Sequence, residues 1–173
     1  MSLEIPEQLQ NMPANCGIYA VWMLLQHCDI ELDLDDLAQV CGYDEADGTF
    51  SIGLAVGLKK MGFQVAFHTE DDLHKDPKEL ALYREAERLK IPVLAVLNYA
   101  EIHAAVEQDH WVIVYYDTFD GVGNHSLIYD INAEEISFFD HFDVMSPEQF
   151  QQQRQAEGIC QQAILIRREF SAL

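Results

Sequence analysis

The spacing of apolar residues changes from helical to alternating about two-thirds of the way along the chain. From Cys16 to Cys28 apolar residues occur on every side of a helix, which predicts a buried helix that begins at Cys16. Asn15 is expected to cap it, and the polar residues 1–12 are expected to be extended. Ser51 is expected to cap a later helix. The stretches with helical spacing are DIELDLDDLAQVCG (a turn and then a short helix), SIGLAVGLKKMGF, LALYREAERLK, NYAEIHAAVEQD and SPEQFQQQRQAEG.

Beyond residue 109 the chain predicts strands separated by short turns. Three runs rich in aromatic and β-branched residues follow one another and predict sequential antiparallel strands. They are HWVIVYYD, HSLIYDI and EISFFD. Shorter strands are predicted at QVAFH, IPVLAVL and QAILIRREF. Helices first and a mostly antiparallel sheet afterwards indicate the α+β class, in a single domain over residues 1–173.

The charge of the chain narrows the classes of partner. Of 173 residues, 30 are acidic and 10 are basic, which gives a net charge of −20. This charge opposes binding to nucleic acid or to an anionic membrane. It indicates a solvated acidic surface, and a basic partner or substrate is the alternative. The sequence shows neither a signal segment nor a long apolar run. We therefore expect a cytoplasmic protein whose four cysteines are reduced, with no CxxC pair to indicate zinc.

Cys16 is a candidate nucleophile because it lies where a polar loop becomes a buried helix. The positive end of a helix dipole is expected to lower the pKa of a thiol in the first turn. Gly17 is expected to leave room for a substrate backbone, and the side-chain amide of Gln10 could donate to an oxyanion. The alternative is a buried structural thiol, which is the usual fate of a free cysteine. Cys16 and its neighbours by themselves do not decide between the two.

A nucleophilic thiol needs a base, and the base needs a group that orients it. Two histidines open strands, His110 and His125. If a hairpin turns around Asn132 and Ala133, His125 lies opposite Asp140, whose carboxylate could hold the imidazole tautomer. This favours His125, and His110 stays an alternative. The other histidines are expected to be structural or at the surface, and they are His27, His68, His74, His103 and His141.

The ordered set Gln10, Cys16-Gly17, His125 and Asp140 resembles the papain-like cysteine hydrolases. The resemblance is closest to the compact bacterial branch that includes the leader peptidases of bacteriocin exporters. The order and pattern of helices and strands is also similar to the guanylyl-cyclase-domain-containing family, which shares the papain-like core. The likeness covers most of residues 5–168.

The residues that flank this set differ from the leader-peptidase pattern. Asn15 stands where an Asp is usual before the cysteine, and Asn124 stands where a Gly is usual before the histidine. His141 follows Asp140 where a Pro is usual. The resemblance therefore concerns a scaffold and a triad, and it does not identify a substrate.

The resemblance implies a papain-like fold and thiol acyl-transfer chemistry. Cys16 would be the nucleophile, His125 the base and Asp140 the group that orients it, with Gln10 and a backbone N–H forming the oxyanion hole. A peptide or protein substrate is implied, and neither a metal nor an organic cofactor is required. A glutamine deamidase or a transglutaminase would use the same side chains, and a catalytically silent peptide-binding module would keep the same fold.

Overall fold

The computed structural model describes residues 4–72, 75–118, 122–141 and 143–167. Within these ranges the chain forms seven helices and six strands. The helices are α1 (Glu7–Asn11), α2 (Cys16–His27), α3 (Leu34–Val40), α4 (Ser51–Lys60), α5 (Pro77–Arg88), α6 (Tyr99–Glu107) and α7 (Pro147–Arg154). The strands are β1 (Val65–His68), β2 (Val93–Leu94), β3 (His110–Asp117), β4 (Gly123–Ile131), β5 (Ile136–Phe138) and β6 (Ala163–Arg167). None of the described helices is long and apolar enough to cross a bilayer.

The strands form one twisted sheet in the order β2-β1-β6-β3-β4-β5. Only the β1–β2 pair among them is parallel, and the other pairs are antiparallel. The last strand of the described residues, β6, lies in the middle of the sheet between β1 and β3, so it joins β1 and β2 to β3, β4 and β5. This architecture confirms the predicted α+β class.

Helices cover both faces of the sheet and form two cores. Side chains alternate between the faces along β4, so Leu127 joins the core beneath α2 and α4, whereas Ile128 joins the core on the α6 side. By the same alternation His125 lies on the face of α2, and Ser126 lies on the opposite face. This alternation decides which polar side chains of β4 can reach Cys16.

The N-terminal segment differs from its prediction. Residues predicted to be extended form α1 instead, because Leu9 is completely buried and anchors one turn of helix on the core. Helix α2 begins at Cys16 as predicted, but the side chain of Asn15 makes no capping hydrogen bond. Its amide donates instead to the carbonyl oxygen of Leu9 at 2.8 Å, which ties α1 to the start of α2.

The β4–β5 hairpin also differs from its prediction, by a shift in register. Its turn spans Asn132–Glu135, and a bulge lies at Tyr129, so Ile128 pairs with Phe138. Continued along the strands, this register sets Ser126 opposite Asp140, where the sequence had predicted His125. Because a shift of one residue exchanges the two faces of a strand, the change moves the side chain opposite Asp140 to the other face of β4.

Candidate active site

Cys16 lies at the N-terminus of α2, half-buried against the sheet. A Cβ atom added to the adjacent Gly17 would collide with Oγ1 of Thr49. The space beside the thiol that was expected to admit a substrate backbone is therefore occupied by Thr49, and Gly17 is needed for packing. The loop before α4 closes this side of the thiol.

His125 on β4 is the histidine that the structure places beside Cys16. Its Nδ1 atom lies 3.6 Å from the sulfur, and the ring is only 3% exposed. The ring of Tyr115 stacks on it with 4.4 Å between centroids, from the position directly opposite on β3. A Cβ atom at Gly123 would collide with the Tyr115 side chain, so a glycine is required there. The stacked tyrosine restricts the tilt of the imidazole.

The other ring nitrogen of His125 contacts Ser51. The Ser51 Oγ atom lies 2.7 Å from Nε2, and both residues are buried. Ser51 was expected to cap α4, but Phe50 takes the N-cap position and Ser51 is the first helical residue. Sequence reasoning missed this contact, although a hydroxyl in the otherwise apolar run SIGLAVGL was a signal.

Asp140 lies just beyond β5, is exposed, and accepts a hydrogen bond from the hydroxyl of Ser126 at 3.0 Å. The same hydroxyl lies within hydrogen-bond distance of Tyr116 Oη and of the Asn124 amide. The structure thus places Asp140 in a polar cluster with Ser126, while Nε2 of His125 is bonded to a different side chain. The role of Asp140 as the group that orients His125 stays a prediction.

Gln10 lies on α1 and is exposed. Its Nε2 atom donates to the carbonyl oxygen of Ile5 at 2.9 Å. The hydrogen bond between Asn15 and Leu9 holds the neighbouring residue of α1 against the loop that leads into Cys16. Gln10 is therefore carried on a segment fixed next to the thiol, with its amide bonded to the backbone just before α1.

His110 lies far from the thiol along the sheet. It opens β3 opposite Arg167, and its Nδ1 atom lies 3.1 Å from the carbonyl oxygen of Ala105. Five residues of strand separate it from Tyr115, a distance of roughly 16 Å. The structure brings His125 to Cys16 and keeps His110 away.

The other histidines that the structure describes have partners elsewhere, and His74 lies outside the described residues. These partners are the rings of Trp111 and Phe139 for His27, the Ala95 carbonyl for His68, Glu107 for His103 and the Tyr116 hydroxyl for His141. None of these contacts involves Cys16.

Burial controls the protonation of the pair. It lowers the pKa of His125 to about 3, because the imidazolium would lose its hydration. Burial also raises the pKa of the Cys16 thiol, and it outweighs the opposing effect of hydrogen bonds from the backbone of His125 and Gly17. The N–H groups at the start of α2 lower this pKa as expected, but burial raises it more, so the pKa of the thiol lies above its ordinary value. Thiol and imidazole are both neutral at pH 7.

Comparisons with known proteins identify the family and a related fold. The sequence profile of the peptidase C39 family matches residues 4–138, a range that contains Gln10, Cys16, Ser51 and His125 and ends just before Asp140. No curated protein is similar enough to the chain to count as a match.

A solved structure shares the fold. It is the peptidase domain of Streptococcus ComA, a bifunctional ABC transporter involved in a quorum-sensing pathway. The two chains are 16% identical with a TM-score of 0.54, and the alignment covers 88% of this chain and 90% of that one. The family match and the shared fold confirm the resemblance to papain-like leader peptidases. The chain belongs to the peptidase C39 family, and it is a papain-like, cysteine-peptidase-like hydrolase.

Proposed function

We propose that the chain cleaves or transfers acyl groups of peptide or protein substrates through a covalent thioester at Cys16. The observation that carries this proposal is the 3.6 Å approach of Nδ1 of His125 to the sulfur at the start of a buried helix. A thiol that is only a core residue needs no ring nitrogen at that distance. In acyl transfer, a nitrogen at this position removes the thiol proton.

The reaction starts from the neutral pair. As the sulfur attacks the carbonyl carbon, the thiol proton moves to Nδ1 of His125, and the ring becomes an imidazolium. The same proton then passes to the leaving amine as the C–N bond breaks, which leaves a thioester on Cys16. Water, activated by the regenerated imidazole, hydrolyses the thioester and restores the thiol.

The developing oxyanion needs hydrogen-bond donors. The backbone N–H of Cys16 is one candidate, since the first N–H groups of a helix have no intrahelical acceptor. Gln10 is the second, provided that its amide exchanges the bond to Ile5 for one to the substrate. Each donor in such a hole contributes about 3 kcal/mol to the stability of the transition state.

Asp140 contributes through its charge and through Ser126. Its carboxylate is close enough to raise the pKa of the Cys16 thiol, as a smaller contribution than burial. We infer that Asp140 favours the imidazolium that forms during the reaction, because a negative charge stabilises a nearby cation. The net charge of −20 favours substrates with basic residues, which the acidic surface would attract.

The test is mass spectrometry of a mixed peptide library incubated with the chain at pH 7.5. Cleaved peptides support a peptidase, and a gain of one mass unit on glutamine supports a deamidase. A glutamine that gains the mass of an added amine supports a transglutaminase. Cys16→Ala and His125→Ala are expected to abolish each product.

Cys160→Ala is the matched control, because Cys160 is partly exposed like Cys16 and lies after α7, outside the Cys16–His125 pair. It is expected to leave the product yield unchanged. Peptides retained on the immobilised chain without any product would instead indicate a silent binding module. Product formation that survives Cys16→Ala would refute the proposed chemistry.

A further inference from the structure

We propose that Ser51 is the positioning residue of this site: its hydroxyl oxygen accepts the Nε2–H of His125 and so turns an unprotonated Nδ1 toward the Cys16 thiol. The proposal rests on the proposed roles of Cys16 and His125. Its first support is geometric, because the two nitrogens of one buried ring face two different side chains, sulfur at 3.6 Å and hydroxyl at 2.7 Å.

The burial of Ser51 indicates that its hydroxyl has a specific hydrogen-bond partner. Ser51 is 4% exposed and begins a helix whose next seven residues, 52–58, are all apolar or glycine and all buried. A hydroxyl in such surroundings reduces stability unless it is hydrogen-bonded. The imidazole nitrogen supplies that bond, and the hydroxyl in turn satisfies a nitrogen that is also shielded from water.

The position of Asp140 leaves this role to Ser51. The register of the β4–β5 hairpin sets Asp140 opposite Ser126, which lies on the other face of β4 from His125. Asp140 accepts a hydrogen bond from the Ser126 hydroxyl. Tyr115 stacks on the ring face and fixes its tilt. Ser51 holds the ring edge, so the two side chains together define the orientation of the imidazole.

The proton balance follows from the chemistry of a hydroxyl. A neutral imidazole carries one N–H, and a bond from Nε2–H to Oγ leaves a lone pair on Nδ1 for the thiol proton. During attack Nδ1 gains that proton, and it later gives it to the leaving amine. Ser51 keeps its own proton throughout. Because a hydroxyl carries no charge, it holds the tautomer without forming an ion pair in the resting site.

The experiment compares Ser51→Ala, Ser51→Thr and Asp140→Asn in the full chain. The first readout is the rate of Cys16 alkylation by iodoacetamide from pH 5 to pH 9. The second is the ¹⁵N chemical shifts of the His125 ring, which distinguish the two tautomers. Ser137→Ala is the matched control, because it deletes a hydroxyl from β5 whose partner is the backbone of residue 130.

We expect Ser51→Ala to slow alkylation at pH 7 about fivefold, the effect of one buried neutral hydrogen bond, and to shift the pH profile. The ring should change from the Nε2–H tautomer to a mixture. Ser51→Thr, which keeps a hydroxyl, should restore the wild-type tautomer. Asp140→Asn, which leaves the contact between Ser51 and His125 in place, should keep the Nε2–H tautomer whatever its effect on the rate. Ser137→Ala should match the wild type.

Two results would overturn the assignment. One is a Ser51→Ala variant with the wild-type rate and tautomer, and the other is an Asp140→Asn variant that loses the Nε2–H tautomer. If Ser51→Ala does not fold, the ¹⁵N spectrum of the wild-type His125 ring tests the proposal instead. An Nδ1–H tautomer contradicts the proposal, and an Nε2–H tautomer supports it. A His125→Ala variant that still alkylates at the wild-type rate would instead remove the proposed function itself.

Discussion

Lowering the pH should reduce the free energy of unfolding, because His125 is buried in its neutral form. The variant His125→Gln should lack this contribution to the acid sensitivity. Burial lowers the pKa of His125 from 6.5 to about 3, so the folded chain keeps the ring neutral where the unfolded chain is already protonated. The contribution of the neutral His125 ring to stability is therefore fully present above pH 6.5, and it is lost as the pH falls toward 3. Glutamine does not titrate, and its amide can still reach the hydroxyl of Ser51.

The size of the effect follows from these two pKa values. Between pH 8 and pH 5 the wild type should lose about 2 kcal/mol of unfolding free energy through this residue alone, and by pH 4 about 3 kcal/mol. A domain of ordinary stability has about 5–15 kcal/mol in total, so the loss is large enough to measure. The ring is 3% exposed, so solvent screening does not reduce the figure appreciably.

The assay is urea unfolding at pH 8 and pH 5, monitored by the fluorescence of Trp22 and Trp111 and extrapolated to water. Carboxylates titrate in both proteins and contribute equally to both. The effect of His125 is therefore the difference between the unfolding free energy that the wild type loses and the unfolding free energy that His125→Gln loses between the two pH values. The wild type should lose about 2 kcal/mol more than His125→Gln between the two pH values. Equal losses in the two proteins, at equal m values, would show that the ring is not held neutral by burial.

Three other predictions test the packing around the site and elsewhere. Gly17→Ala should destabilise the fold by about 1–3 kcal/mol through collision with Thr49, and adding Thr49→Ala should recover part of the loss in thermal unfolding. Arg154→Met should cost about 2–4 kcal/mol in urea unfolding, because the fully buried guanidinium donates to two backbone carbonyls that would lose their partners. Cys41 should resist iodoacetamide at pH 8 until urea is added, since burial raises the pKa of its thiol to about 12. Early alkylation of Cys41 in the native protein, seen by peptide mapping, would contradict its burial.

The sequence predicted the class of fold because period and composition are local properties. A helix that is apolar on every side has to be buried, and alternating β-branched and aromatic runs have to pair. These rules gave the start of α2 at Cys16 and the three sequential strands β3, β4 and β5. The presence of α1 was missed because one buried residue, Leu9, fixes it, and a single apolar residue has no period.

The candidate site could be predicted only in part, because some of its contacts join elements that are distant in the sequence. Cys16 could be chosen because it lies at the start of a buried helix, and His125 was preferred to His110 because a hairpin was predicted to set it opposite Asp140. The partner of the imidazole could not be chosen, since it depended on the register of one hairpin. A bulge at Tyr129 and a turn at Asn132–Glu135 set Asp140 opposite Ser126. No periodicity in the sequence predicts a bulge.

The amino-acid sequence by itself determined the order of helices and strands and the location of the thiol and the imidazole along the chain. Only the tertiary structure decided that Ser51 contacts His125, 74 positions away, and that burial keeps both reacting groups neutral at rest. Hydrogen bonds between distant elements and the loss of hydration depend on how the layers pack. Neither quantity is a property of any short stretch of the chain.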